Sequence, residues 1–92
     1  MGVTQDQINR IKALAQSYGA KRLILFGSAV EDPDTARDID IACDGVPGWK
    51  LFELGAELEE QLRMHLDIIP LSPPSEFTRH IENKGKVLYD IG

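Results

Sequence analysis

Residues 38 to 43 read Asp-Ile-Asp-Ile-Ala-Cys. The alternation has the two-residue period of a strand, which sets Asp38, Asp40 and Ala42 on one face and Ile39, Ile41 and Cys43 on the other. A chain carrying this pattern must build a sheet with one face in a core and the other face at a charged site. Asp38 and Asp40 then point the same way, about 6 to 7 Å apart along the strand. Carboxylates so held repel each other unless a cation lies between them. Hard divalent ions such as Mg²⁺ take oxygen ligands of this kind, with substrate phosphate oxygens completing the shell.

At 92 residues the chain has room for a single domain, residues 1–92, and one modest core. Chains of this size bury only about 60% of their unfolded surface. Hydrophobic residues at 42% and charged ones at 27% fit a soluble globular protein and argue against disorder. Ten basic against fifteen acidic residues give a formal charge of −5, the wrong sign for gripping nucleic acid through many phosphate contacts. Nucleic acid is therefore not expected as a partner. Cys43 is the single cysteine, so no internal disulfide can form, and no apolar stretch reaches the roughly 18 residues of a membrane span. The opening Met-Gly-Val-Thr-Gln-Asp-Gln lacks the cationic-then-apolar pattern of an export signal. A cytoplasmic protein without membrane association is expected.

Around the alternating segment the chain switches between helical and extended patterns. Thr4 and Gln7 form a capping box, and Ile8, Ile11, Leu14, Ala15 and Tyr18 follow at helical spacing, which predicts a helix over 4–18. Arg22 to Phe26 is a short apolar run between Gly19-Ala20 and Gly27-Ser28, the pattern of a buried strand. Residues 29 to 37 read as a polar loop with a turn at Asp32-Pro33-Asp34 and no regular element. Beyond Gly45, Pro47 and Gly48, a second helix starts near Trp49 and ends by Arg63 or Met64, its stripe being Leu51, Leu54, Gly55, Leu58 and Leu62. His65 to Leu71 reads as a third strand, with Leu66 and Ile68 on one face and Asp67 on the other. A third helix over 75–83 is ended by Gly85, and Lys86 to Asp90 reads as a short edge strand or a last helical turn, the strand being favoured. No repeat, low-complexity segment or long linker interrupts the sequence.

Strands that alternate with helices tend to share one sheet, so Asp67 can sit beside Asp38 and Asp40. Gly27 would let backbone approach a phosphate, and Ser28 adds a hydroxyl donor. Three carboxylates beside such a turn suit metal-assisted phosphoryl or nucleotidyl transfer. Each residue also has a plain structural reading: Asp38 as a turn or cap, Asp67 as the polar face of an edge strand. The set together favours a metal and phosphate site.

The string Leu25-Phe26-Gly27-Ser28, nine residues, then Asp38-Ile39-Asp40-Ile41-Ala42, with a later Leu66-Asp67-Ile68-Ile69, resembles the nucleotidyltransferases of the DNA polymerase β superfamily. More narrowly it is similar to the minimal nucleotidyltransferases (MNT) encoded beside HEPN-domain partners in toxin–antitoxin pairs. The resemblance covers nearly the whole chain. It implies an α/β (α+β) fold, a small mixed sheet with helices packed on one face and the active site on the exposed face. It further implies that Asp38 and Asp40 bind two Mg²⁺ ions, and that Asp67 joins one of them and helps deprotonate the attacking hydroxyl. Gly27 and Ser28 would hold the triphosphate. The implied reaction moves AMP from ATP to a tyrosine hydroxyl of a HEPN toxin, with pyrophosphate leaving, and makes the chain an antitoxin. Where the family pattern has a serine before the first aspartate and a basic residue after Gly-Ser, this chain has Arg37 and Ala29, and Arg37 is a candidate phosphate contact. Two alternatives stand beside the toxin-modifying reading. One is an antitoxin that neutralises by binding alone; the other is a nucleotidyltransferase for a small molecule, for which a homo-oligomer is a possible source of the acceptor site.

The remaining conspicuous residues read as structural. His65 and His80 are expected at surface or capping positions, Cys43 as a buried thiol, and Trp49 and Phe52 as core or interface anchors. The acids of the second helix read as a solvated face.

Overall fold

The Thr4 side chain accepts the Gln7 backbone N–H at 3.2 Å, and the Gln7 side chain accepts the Thr4 N–H at 2.8 Å. That reciprocal cap satisfies two donors that a helix start leaves without partners, and α1 (Gln5–Ser17) begins there. The chain then turns through Gly19 into β1 (Arg22–Phe26), whose three central residues are buried. This computed structural model describes residues 3–32 and 34–91.

After β1 the structure differs from the expected loop. Ser28–Glu31 forms one helical turn, α2, closed by bonds from the Val30 and Glu31 N–H groups to the Gly27 carbonyl at 3.0 and 3.1 Å. Burial explains it: Ala29 is 3% exposed and inserts into the core, so the segment coils to deliver an apolar side chain inward. The turn read at Asp32-Pro33-Asp34 depends on Pro33, which lies outside the described residues.

The other elements are β2 (Asp38–Asp44), α3 (Gly48–Leu62), β3 (His65–Pro70), α4 (Glu76–Lys84) and β4 (Lys86–Asp90). They make a four-stranded mixed sheet in the order β3-β2-β1-β4. β1 runs antiparallel to both β2 and β4, while β2 and β3, joined through α3, run parallel. A parallel pair needs such a crossover, so the helix between the second and third strands sets their relative direction.

Alternation along the strands divides the core. Leu23, Leu25, Ile39, Ile41 and Cys43 face α1 and α3, meeting Ile11, Leu51, Leu54 and Leu58. Fully burying each such aliphatic side chain contributes roughly 1.5–3 kcal/mol, so this face carries most of the stability. The expected stripe of α3 is buried at every position. The opposite face holds Ile24, Ala42 and Leu71 under Ile81 of α4. Placement of α4 there refines the picture of helices on one face: the site face is half covered. Gly85 makes the cover tight, since a Cβ there would stand 2.6 Å from Ile24 Cγ2. Among the described residues no helix is long and apolar enough to cross a membrane.

Candidate active site

The uncovered half of that face is where the carboxylates gather. In the parallel β2–β3 ladder Asp40 is the partner of Asp67, and Asp38 the partner of His65. In the antiparallel β1–β2 ladder Asp40 faces Phe26, the last residue of β1. Residues opposite each other in a ladder share a face, so Asp38, Asp40 and Asp67 lie on one surface. The chain leaves β1 through Gly27 at φ 74°, a conformation that L side chains rarely adopt. A Cβ on Gly27 would stand 2.5 Å from Asp40 Oδ2. Only glycine lets the backbone pass that close to the carboxylate. Ser28 is exposed at the head of α2, where the first N–H groups of a helix have no partner within it.

Electrostatics mark Asp40 as the centre. Its carboxyl is pushed above the ordinary value of 3.8, first by burial, then by the charges of Asp67 and Asp38, with His65 acting in the opposite sense. Asp38 and Asp67 are exposed and Asp40 is half-buried. Among the described residues, no three His, Cys, Asp or Glu side chains converge as a ready-made metal cluster. The donor set is all carboxylate oxygen, which suits a hard divalent cation bridging to phosphate oxygens. The residues fit such an ion.

His65 is a neighbour of the site that its sequence reading placed merely at the surface. Its Nδ1 lies 3.1 Å from Glu59 Oε2, and its Nε2 lies 3.7 Å from Asp67 Oδ1. Glu59 also accepts the Leu66 backbone N–H at 3.0 Å, which ties the end of α3 to the start of β3. A signal for His65 existed. It stands two residues before Asp67 on one strand, the spacing that relates Asp38 to Asp40.

Arg37 lines an opening shared with Thr4, Gln7, Arg63 and His65, the last of which is the ladder partner of Asp38. Cys43 is buried as expected, and burial pushes its thiol up to about 12. Trp49 and Phe52 are not core residues: they are 69% and 83% exposed. Phe52 lines a groove of about 340 Å³ between α3 and β3 that also includes Asp67.

A mixed sheet presenting carboxylates from adjacent strands beside a glycine turn is arranged for phosphate chemistry assisted by a metal ion. Residues 9–91 match the family described as polymerase beta, nucleotidyltransferase, and the chain belongs to that family. Several solved toxin–antitoxin structures share the fold. A mutant of the MntA–HpeT complex aligns with a TM-score of 0.78 at 22% identity, over 90% of this chain and 73% of that one. A toxin–antitoxin structure with AMP-PNP gives 0.77 at 24% identity, over 90% and 73%. The tri-AMPylated Shewanella oneidensis HEPN toxin in complex with MNT antitoxin gives 0.74 at 24%, over 94% and 71%. Comparison with curated proteins gave no match.

Proposed function

We propose that this chain is a single-domain, cytoplasmic, Mg²⁺-dependent nucleotidyltransferase that transfers AMP from ATP to a tyrosine hydroxyl of a cognate HEPN toxin, and so acts as its antitoxin. The observation that carries the reading is the placement of Asp40 opposite Asp67 and against Gly27, in a chain of the polymerase beta nucleotidyltransferase family. The neighbours that contain AMP-PNP and a tri-AMPylated HEPN toxin support the nucleotide and the acceptor.

In this mechanism Asp38 and Asp40 would hold the divalent ions, and Asp67 would contribute to one of them. Bound there, Mg²⁺ supplies Lewis-acid neutralisation of the triphosphate and of the developing oxyanion. Gly27 and Ser28 line the triphosphate with backbone N–H and hydroxyl donors, which orient the α-phosphorus for in-line attack. Asp67 receives the proton of the acceptor hydroxyl as its oxygen bonds to the α-phosphorus. The bond from the α-phosphorus to the bridging oxygen breaks, and pyrophosphate leaves with the electron pair.

The deciding experiment incubates the chain with ATP, Mg²⁺ and the HEPN-type product of its genomic neighbour, then reads intact mass. An AMP-sized increment that vanishes in Asp38→Ala and Asp40→Ala is expected; no increment with any nucleotide would overturn the assignment. One observation favours a second reading, neutralisation by binding alone. Ala29 stands where the family pattern has a basic residue and is buried, so the Gly-Ser turn has no basic side chain directly after it. On that reading Asp67→Asn leaves neutralisation intact.

A further inference from the structure

A second pocket opens on the other side of Gly27. It measures about 240 Å³ and lies between α2 and α4, with Phe26, Gly27 and Phe77 in its walls and Ile81 at its floor. Phe26 and Phe77 meet edge to face, their centroids 6.1 Å apart at 86°. Ile81 and Thr78 are the α4 residues buried against the sheet, at 1% and 5% exposure. Phe77 is 56% exposed, more than docking the helix requires. An open aromatic face beside a pocket is a surface on which a flat ring can stack. The rim provides hydrogen-bonding groups of both kinds, His80 and Lys84 from α4 and Glu31 from α2.

Gly27 joins this pocket to the carboxylates, because the same residue that lines it stands against Asp40. The geometry points to this pocket as the seat of the nucleobase: the base stacks on Phe77, the α-phosphorus lies at Asp40, and the β- and γ-phosphates lie along Gly27 and Ser28. The inference rests on the nucleotidyltransferase reading and adds which part of the molecule holds the nucleoside. Base–aromatic stacking is tolerant of base identity and is worth enough that truncating the ring costs roughly tenfold in affinity.

The test compares ATP with inorganic tripolyphosphate, which has the phosphates but no base. Binding of each is measured by calorimetry with Mg²⁺ present, for the full wild-type chain and for Phe77→Ala, with thermal melts confirming that both are folded. Phe77→Ala should bind ATP roughly tenfold more weakly and tripolyphosphate as tightly as wild type. In a Trp49→Phe background, Phe77→Trp should retain ATP affinity and lose indole emission when ATP binds, but not when tripolyphosphate binds. Unchanged ATP affinity in Phe77→Ala, or an equal loss for both ligands, would overturn the assignment of the pocket while leaving nucleotide binding in place. A wild-type chain that binds neither ligand would overturn this inference together with the reading beneath it.

Discussion

Asp40 and Asp67 stand opposite each other on adjacent parallel strands, and the carboxyl of Asp40 is raised first by burial and then by the charge of that partner. The pair is flanked in the ladder by apolar partners, Ile39 with Leu66 and Ile41 with Ile68, on the core face. The two backbone positions cannot separate without shifting that core.

Replacing the central acid should separate activity from folding. Asp40→Asn removes a half-buried charge that its neighbours disfavour, so the metal-free protein should melt at the same temperature as wild type or higher. Transfer to the toxin should fall by about a hundredfold or more, the scale of losing a positioned catalytic group. Melting curves and intact-mass time courses on one preparation check both. A large fall in melting temperature would contradict this account of Asp40.

The same carboxyl makes a signed prediction in pH. Its folded-state pKa lies above its unfolded value, so the folded state binds the proton more tightly and Asp40 costs stability once ionised. That cost is absent below the ordinary value of 3.8 and grows as pH rises through the folded value. Denaturant unfolding across acidic to neutral pH should show Asp40→Asn gaining on wild type as pH rises through this window. A parallel pair of profiles would argue against the shift.

Mg²⁺ should oppose that cost. A cation bound only by the folded chain stabilises it in proportion to the logarithm of its concentration over its dissociation constant. The wild-type melting temperature at neutral pH should rise on titration with MgCl₂, and the rise should disappear in the Asp38→Asn, Asp40→Asn double variant. An equal rise in both proteins would mean that the ion acts elsewhere.

Gly27→Ala should damage both fold and site. The new methyl meets Asp40 Oδ2, and φ 74° is unfavourable for alanine. The loss should be about 1 kcal/mol or more in chemical denaturation, with nucleotide binding weakened beyond that. Wild-type stability in Gly27→Ala would show that the turn relaxes freely.

Two residues of α3, Leu54 and Phe52, should behave oppositely. Leu54 is fully buried and Phe52 is 83% exposed. Leu54→Ala should cost about 2–5 kcal/mol, while Phe52→Ala should stay within about 0.5 kcal/mol of wild type. Urea unfolding of the two variants distinguishes them.

Periodicity and punctuation alone determined the strands β1 to β3, the capped α1, the buried stripe of α3 and the face shared by Asp38 and Asp40. These are local properties, because a two-residue or 3.6-residue repeat specifies which side chains point together before any tertiary contact forms. Tertiary structure decided the rest. Pairing of β2 with β3 at the register that sets Asp40 against Asp67 depends on how α3 returns the chain over the core. The helical turn at Ser28–Glu31 exists because Ala29 has a core to enter, and α4 crosses to the site face because Ile24 and Ala42 leave room for Ile81. His65 met Glu59 and Asp67 only when the end of α3 and the start of β3 were brought together. Alternation says which way a side chain points; only the burial of one surface against another says what it will face.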